Sequence, residues 1–289
     1  MFKFSRAYIN KIYINIRFIM IKPSKTFIII TSIILLFFTY SFIESKLIEY
    51  KKIEINNKQI PETFNNFKII FISDLHKRIY SEPLKIKKVI EKINSQNPDL
   101  VILGGDYVNY NKKDIIIFEE LKNLKAKYGV FGVYGNHDTK IRGNTSSDYF
   151  NSSNIKNLNN NSYWIQKDGE KIKLGGVGDL WTDKQDLPKT TSDLLTNNFS
   201  ILVSHNPDYI EEIKNEDKID LVLSGHTHGG QANIFNLFQP LNPSIYGYLS
   251  GLYRFENKEL YITRGIGEFF GPFRFFARPE ISELILKSE

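Results

Sequence analysis

Each of the five histidines in this 289-residue chain follows a short apolar segment. Segments of this length and composition are typical of β-strands that are buried on both faces. His226 and His228 follow the apolar segment 219–224 and lie among glycines, which allow the backbone to turn sharply after a strand. Histidines scattered over a core or a surface would not share this position, so the pattern predicts strands that bring imidazoles to one place. The five are His76, His137, His205, His226 and His228.

The middle of the chain alternates between strand and helix patterns. Apolar segments at 68–73, 99–103 and 130–134 predict buried strands, and the stretches 83–94 and 114–127 between them have apolar residues at helical spacing. Strand, helix and strand joined by short links are typical of a mainly parallel sheet covered by helices. Ligands of such sheets bind at the carboxyl ends of the strands, which is where the histidines stand.

The second half of the chain continues this α/β pattern less regularly. Residues 140–163 are rich in Asn and Ser and are predicted to form a loop. Further strands are predicted at 53–55, 170–174, 199–203 and 219–224, a weak helix at 192–198, a helix near 209–214, and three strands in the tail 248–287.

The N-terminal segment differs from the rest of the chain in charge and hydropathy. Residues 1–43 contain six of the 38 basic residues and no acidic ones, so the remainder has 32 basic and 32 acidic residues. Residues 26–43 are uncharged and would span roughly 27 Å as a helix, close to the thickness of a bilayer core. We therefore predict a transmembrane anchor; the alternatives are a buried core helix and a cleaved secretory signal.

The charge distribution also bears on location and partners. The basic flank predicts a single-pass cell-membrane protein whose N-terminus is cytoplasmic and whose main domain lies outside. The neutral charge of this main domain disfavours nucleic acid as a partner. The predicted domains are a basic leader at 1–25, the anchor at 26–43, a spacer with a first strand at 44–66 and the main domain at 67–289.

Carboxylates accompany the histidines at the predicted strand ends. Asp74 and His76 are separated by one residue, so in extended chain both side chains lie on one face. Asp106 follows the neighbouring strand, and its two oxygens can bridge two cations about 3.5–4 Å apart. The predicted ligands of the first ion are Asp74, His76, Asp106 and His228, and those of the second are Asn136, His205, His226 and the bridging Asp106.

This ligand set predicts hydrolysis of a phosphate bond. Two divalent cations and two aspartates leave a doubly positive centre, which attracts phosphate and lowers the pKa of a bridging water toward neutrality. The resulting metal-bridging hydroxide is expected to attack phosphorus in line, and His137, which is not needed as a ligand, is the predicted general acid. The chain has no cysteine, which excludes thiolate ligands, and its imidazoles and carboxylates suit Mn, Fe, Zn, Co or Ni.

The motifs resemble those of the calcineurin-like metallophosphoesterase superfamily over about residues 67–285. The resemblance implies a four-layer αββα sandwich and the same ligand roles at the same positions. The tail is similar to the bacterial membrane-attached branch, which includes UDP-2,3-diacylglucosamine pyrophosphatase-like enzymes of lipid pathways. The matching motifs D-x-H, G-D, G-N-H-[DE], a lone H and G-H-x-H stand at 74–76, 105–106, 135–138, 205 and 225–228.

We therefore expect a membrane-anchored dinuclear metallophosphoesterase that cleaves a phosphodiester or pyrophosphate bond, on a lipid-linked or cell-envelope substrate. One alternative is a non-catalytic metal-bound interaction scaffold, which would not need to keep His137. The other is a nuclease or nucleotide phosphodiesterase, which the neutral catalytic part and the anchor disfavour.

Several other residues have two interpretations each. Asp138 is expected to cap a helix or orient its neighbour, and Asp179 to close a turn. Three arginines near the C-terminus could clamp a phosphate or pair with acids. Five phenylalanines of one loop could join the core or form an apolar rim that touches lipid. The arginines are Arg264, Arg274 and Arg278, and the phenylalanines are Phe269, Phe270, Phe273, Phe275 and Phe276.

Overall fold

A computed structural model of the chain describes residues 24–77, 83–109, 112–140, 146–233, 239–269 and 271–289. Residues 1–23 of the predicted leader, and Phe270, lie outside the described residues. The chain divides into two compact units, Met1–Thr39 and Tyr40–Glu289.

Within the described residues the helices are α1 (Lys25–Glu44), α2 (Pro83–Ser95), α3 (Ile117–Leu121), α4 (Ser146–Ser152) and α5 (Pro188–Thr191). The strands are β1 (Glu49–Asn57), β2 (Lys68–Ile72), β3 (Leu100–Leu103), β4 (Val130–Gly132), β5 (Ile155–Asn157), β6 (Asn161–Lys167), β7 (Glu170–Gly176), β8 (Ser200–Val203), β9 (Leu221–Ser224), β10 (Gly251–Arg254), β11 (Glu259–Ile262) and β12 (Glu280–Ser288). Short 3₁₀ segments lie at Glu62–Phe64, Lys112–Ile116, Asn136–Lys140, Pro207–Glu212, Asn215–Asp217 and His228–Gly230.

Helix α1 contains the whole predicted anchor. It is 20 residues long, and apolar side chains such as Leu35 and Leu36 are 66% and 68% exposed. Apolar side chains on all sides of a helix are typical of membrane spans and of buried core helices. Among the described helices it is the one long and apolar enough to cross a membrane, a property shared with secretory signals.

The strands form two six-stranded mixed sheets. The first has the order β1-β12-β2-β3-β4-β5 and the second β10-β11-β9-β8-β7-β6. Strands β2 to β5 are parallel to one another, and β7, β8, β9 and β11 are parallel in the other sheet. The predicted site residues come directly after the carboxyl ends of several of these parallel strands.

The core confirms a four-layer αββα arrangement. Alternate residues of β2 face opposite sides, so that Phe71 packs between the two sheets and Ile70 packs against helices. The inner cluster includes Ile201 of β8, and a third cluster packs Leu202 of the same strand beneath the 3₁₀ segment that contains Tyr209. The central strands of each sheet, β2, β3, β8 and β9, are therefore buried on both faces, which explains why they are continuous apolar runs.

The first strand, predicted near residues 53–55, is β1, and it belongs to the first sheet. It pairs in parallel with β12 over nine residues, and Ile60 and Phe64 in the segment after it are buried in the inner cluster. The boundary predicted at residue 67 marks the family motifs, whereas the compact unit begins at Tyr40. The functional division into leader, anchor, spacer and catalytic domain stays a prediction.

Some predicted helices were wrong in extent. The helix predicted at 114–127 ends at Leu121, because the Asn123 side chain donates to Glu120 O and Asn94 of α2 binds the backbone of Asn123 and Lys125. The helix predicted at 192–198 lies earlier, at Pro188–Thr191, where the fixed φ of proline favours the first turn.

The segment 140–163 was predicted as a loop, yet it contains α4, β5 and the start of β6. Local composition hides these elements, because β5 is held by parallel pairing with β4 and by burial of Phe150 and Ile155. Both interactions are tertiary, and the Asn- and Ser-rich sequence does not indicate them.

Candidate metal centre

The predicted ligands follow five strands of the two sheets. Asp74 and His76 come after β2, Asp106 after β3 and Asn136 after β4, all in the first sheet. His205 follows β8, and the remaining two imidazoles follow β9 in the second sheet. All seven side chains are buried, so the fold gathers them between the carboxyl ends of both sheets.

One group of donor atoms comes from β2 and β9. His228 Nε2 lies 3.5 Å from Asp74 Oδ1 and 3.0 Å from His76 Nε2. His76 Nε2 is 4.0 Å from Asp74 Oδ1. These three residues form a group that could hold a metal ion.

A second group comes from β3, β8 and β9. His205 Nε2 is 3.3 Å from Asp106 Oδ2 and 3.2 Å from His226 Nδ1. The other ring nitrogen of His205, Nδ1, is 2.7 Å from the carbonyl oxygen of Gly104. That carbonyl accepts a hydrogen bond from Nδ1–H and so directs Nε2 toward the group.

Asp106 joins the two groups through one oxygen. Its Oδ2 lies 3.5 Å from His76 Nε2 as well as 3.3 Å from His205 Nε2. Its Oδ1 accepts the backbone N–H of His137 at 2.8 Å. One oxygen is thus held by the backbone while the other faces imidazoles of both groups, which is the arrangement that a bridging carboxylate requires.

The donor set fits two metal ions. Donor atoms on one tetrahedral or octahedral ion lie about 3.0–3.4 Å apart, because each metal–ligand bond is about 2.1 Å long. The separations within each group are close to this range. In addition, Asn136 Oδ1 and His226 Nε2 are buried with no hydrogen-bond partner among the described residues, a costly state that a bound cation relieves.

The backbone is strained at the predicted ligands. A positive φ is uncommon for residues other than glycine, and it costs roughly 1–3 kcal/mol each. The sequence gives no direct signal for this strain. Five of the seven ligands nevertheless have it: Asp74 (55°), His76 (42°), Asp106 (55°), His226 (70°) and His228 (53°).

Two glycines permit the close approach of the strand ends. A Cβ at Gly135 would lie 2.2 Å from Asp106 Oδ1, and a Cβ at Gly225 would lie 2.4 Å from Asp74 Oδ2. Either methyl group would displace a carboxylate, so glycine is required at both positions.

Asp138 fastens the loops after β3 and β4 together. Its buried carboxylate accepts the backbone N–H groups of Asp106 (2.8 Å), Tyr107 (2.9 Å), Val108 (3.3 Å) and Gly135 (2.9 Å). These contacts hold the loop of Asp106 against the loop that follows β4.

Two of the three arginines are occupied by the protein itself. Arg264 pairs with Glu280 and Glu49, each at 2.7 Å. Arg274 is fully buried, and its guanidinium donates to five carbonyl oxygens rather than facing a phosphate. Those carbonyls belong to His228, Arg264, Gly265, Gly267 and Ala277.

Arg274 is therefore a structural support of the site that the sequence interpretation missed. The loop it holds donates the N–H of Ile266 to Ser73 O at 3.0 Å and that of Gly267 to Asp74 O at 2.6 Å. The sequence signal for this role is the position of Arg274 among apolar residues between β11 and β12. A buried arginine there needs hydrogen-bond acceptors inside the protein.

His137 lies beside the first group. Its ring is edge-to-face with His76 at 4.8 Å between centroids and with Phe269 at 5.3 Å. Its side chain is also close enough to His76 and Asp106 to form a third possible metal-binding group. Its role as general acid stays a prediction.

The site opens into a cavity of about 90 Å³ with an apolar rim. Trp181 is 52% exposed and packs edge-to-face on His226 at 4.4 Å. Leu241, Pro243 and Phe269 line the same cavity. Asp179 closes the turn before the tryptophan, as predicted, because its carboxylate accepts the backbone N–H groups of Trp181 and Thr182.

A larger cavity, about 560 Å³, lies at the amino ends of β9 and β11 and is lined by none of the predicted ligands. The smaller one is the candidate site, because the ligands themselves line it.

The charges of the site are strongly coupled. Burial opposes ionisation of Asp106, but the charges of His205 and His76 outweigh it and hold the pKa of Asp106 well below its usual range. Burial also opposes protonation of His205, but Asp106 and Asp74 raise its pKa to about 10. Burial and the neighbouring His205 lower the pKa of His226 to about 3. Without metal, one imidazole thus keeps a proton that a cation must displace.

Comparison with known proteins identifies the family. The calcineurin-like phosphoesterase profile matches residues 67–230. The chain is 34% identical to the uncharacterized metallophosphoesterase YkuE of Bacillus subtilis over 86% of this chain and 88% of that protein. It is 32% identical to phosphodiesterase YaeI of Escherichia coli, over 76% and 82%. It is 28% identical to a protein of Danio rerio named as a transmembrane protein with a metallophosphoesterase domain, over 81% and 56%.

The chain belongs to the calcineurin-like phosphoesterase family, and it is a metallophosphoesterase that uses two divalent metal ions.

Proposed function

We propose that this chain hydrolyses a phosphodiester or pyrophosphate bond of a lipid-linked or cell-envelope substrate. When bound, two divalent cations lower the pKa of a water and neutralise charge on the phosphoryl group. The observation that carries the proposal is the single oxygen Asp106 Oδ2, which lies 3.5 Å from His76 Nε2 and 3.3 Å from His205 Nε2. The proposed ligands are Asp74, His76, Asp106 and His228 at one ion and Asp106, Asn136, His205 and His226 at the other.

His137 is the proposed general acid. Its backbone N–H is tied to Asp106 Oδ1, and its ring lines the cavity next to the ligands. From there it can donate a proton to the oxygen that leaves phosphorus, which is the part of the reaction that the ligands cannot perform.

The lipid-linked substrate is supported by the apolar rim of the cavity. Trp181 and Leu241 are 52% and 41% exposed, although a site for small polar phosphates would not need apolar groups at its entrance. Helix α1 supports the same substrate class, because a membrane span would keep the enzyme at a lipid surface.

The proposed organisation follows from that helix. In this organisation residues 1–25 are a cytoplasmic leader, 26–43 the membrane anchor, 44–66 a spacer with the first strand and 67–289 the catalytic domain, which lies on the side of the membrane opposite the cytoplasm. The charge asymmetry supports this orientation, since the six basic residues of 1–43 have no acidic counterpart.

Hydrolysis of bis-p-nitrophenyl phosphate with Mn²⁺ tests the function. Asp106→Ala removes an oxygen shared by both groups, so we expect the rate to fall by at least about 10²-fold and the metal content to drop. His137→Ala should retain metal and lower the rate by about 10²–10⁴-fold on a phosphodiester with an alkoxide leaving group, and by less on bis-p-nitrophenyl phosphate. Glu216→Ala, at a side chain 78% exposed in the 3₁₀ segment before β9, is the matched control and should behave as the parent.

Unchanged rates in both site variants would exclude this mechanism and favour a metal-bound scaffold. A screen of the detergent-solubilised parent against nucleotides, sugar-nucleotide lipids and phospholipids then tests the substrate class. Turnover restricted to nucleotides or nucleic acid would overturn the lipid-linked substrate while leaving the metal chemistry intact.

A further inference from the structure

The end of the apolar helix is bound to the phenylalanine loop. Glu44, the last residue of α1, is only 2% exposed. Its carboxylate accepts the backbone N–H groups of Phe276 and Ala277, both at 2.9 Å. A buried carboxylate with two charge-assisted hydrogen bonds fixes this loop firmly.

Two further hydrogen bonds hold the same segment. The N–H of Arg274 donates to Ser41 O at 3.0 Å, and Ser45 Oγ donates to Pro272 O at 3.1 Å. Residues 272–277 are therefore attached at the point where the apolar helix ends.

Aromatic contacts extend this attachment. Tyr40 packs on Phe275 at 5.5 Å and on Phe276 at 5.7 Å between ring centroids. Phe42 packs on Phe273 at 6.5 Å. The phenylalanines of this loop therefore pack against the end of α1, although part of their surface remains exposed.

Apolar side chains remain exposed around this junction. Phe42, Ile43 and Leu47 are 46%, 52% and 48% exposed, and Phe269 and Phe276 are 41% and 45% exposed. We name these five the helix-end surface. Lys46 lies over the Phe42 ring at 5.3 Å, which places a cation among the apolar groups. Aromatic and cationic side chains together are typical of the bilayer interface.

The helix-end surface reaches the catalytic cavity through the loop. The side chain of Gln231 donates to Phe273 O at 3.1 Å and accepts the N–H of Phe269 at 2.9 Å. The Phe269 ring is in turn 5.3 Å from that of His137. The same loop thus carries exposed apolar side chains at the end of α1 and forms part of the wall of the catalytic cavity.

We propose that the helix-end surface lies in the headgroup region of a lipid bilayer, so that the cavity admits substrate from the membrane plane. We assign a lipid bilayer to the helix-end surface because this surface is continuous with the end of a helix that is apolar on all sides. A phosphate group could then reach the site while acyl chains stay in the membrane. This inference deepens the proposed function and rests on its lipid-linked substrate.

A single labelled cysteine tests the proposal, since the parent chain has none. The full chain carrying Phe276→Cys is labelled with bimane and reconstituted in vesicles of phosphatidylcholine and phosphatidylglycerol, some with a headgroup nitroxide. The control is Glu216→Cys, at the amino end of β9 away from the site. We expect strong nitroxide quenching at position 276 and little at 216.

Equal quenching at both positions, or none at 276, would overturn the proposal. Disulfide-linked dimers of unlabelled Phe276→Cys in the same vesicles would also overturn it, because a second copy would then cover the surface. The parent chain is assayed on bis-p-nitrophenyl phosphate in parallel. Lost hydrolysis with quenching intact would remove the proposed function alone, and the reverse result would remove only the membrane contact.

Discussion

His137 lies where its imidazole can either donate a proton to the leaving group or bind a metal ion. It is the one histidine without a proposed ligand role, although its ring lies near His76 and Asp106. A general acid matters most when the leaving group is a strong base, because a weakly basic leaving group departs without a proton.

We therefore predict that His137→Ala lowers kcat far more for a phosphodiester with an alkoxide leaving group than for bis-p-nitrophenyl phosphate. Paired rate measurements at saturating Mn²⁺, with metal content by elemental analysis, check this. Equal losses on both substrates would assign His137 to another role, and loss of one ion would make it a ligand.

His205 makes metal binding depend on pH. Asp106 and Asp74 overcome burial to raise its pKa to about 10, above the usual 6.5, so the metal-free site holds a proton below pH 10. A cation must displace that proton, and the apparent metal affinity should rise about tenfold per pH unit between about pH 7 and pH 10.

Calorimetric titration with Mn²⁺ in buffers of different ionisation enthalpy measures the protons released on binding, and so checks that metal affinity rises with pH. Close to one proton should be released for each ion that binds the group of His205. Affinity that is independent of pH, with no proton release, would mean that the imidazole is already neutral.

At the scale of elements, the site depends on how loops between strands are fixed. Arg274, between β11 and β12, donates to the carbonyl of His228 at 3.2 Å and to four carbonyls of its own loop region. It touches no proposed ligand side chain, so it acts as a positioning residue. Supports of this kind typically change metal affinity by about 10–100-fold.

Arg274→Met should weaken Mn²⁺ binding by about that factor and change kcat at saturating metal less. Activity measured across Mn²⁺ concentrations separates the two quantities. Arg278→Met, at an exposed arginine four positions later, is the matched control and should resemble the parent. Arg274→Lys retains a buried cation, so partial recovery of affinity would support positioning by charge and hydrogen bonding. An equal effect of Arg274→Met and Arg278→Met would contradict it.

The whole molecule combines an apolar helix with a unit that begins at Tyr40. If α1 spans a bilayer, alkaline carbonate should leave the chain in the membrane fraction and only detergent should release it. Immunoblotting of the fractions and the intact mass of the extracted chain check this. A soluble chain that has lost its N-terminal residues would identify α1 as a cleaved signal instead.

Sequence periodicity predicted the central strands because each is buried on both faces and therefore is apolar throughout. It failed for α4, β5 and the start of β6, because this segment is rich in Asn and Ser and its structure depends on contacts with distant residues. It extended the helix at 114–127 too far, because Asn94 of another helix competes for the backbone there. In each case a long-range contact outweighed local preference.

The sequence by itself determined the chemistry of this protein, since the types and order of its motifs name the donor atoms and the family. Only the tertiary structure decided how those donors are held. In the folded chain one oxygen of Asp106 faces imidazoles of both groups, and five predicted ligands have a positive φ. Arg274 holds the backbone next to them, because it donates to the carbonyl of His228. The physical reason is that ligand identity is a local property, whereas strain, burial and shared oxygens depend on residues far apart in the chain.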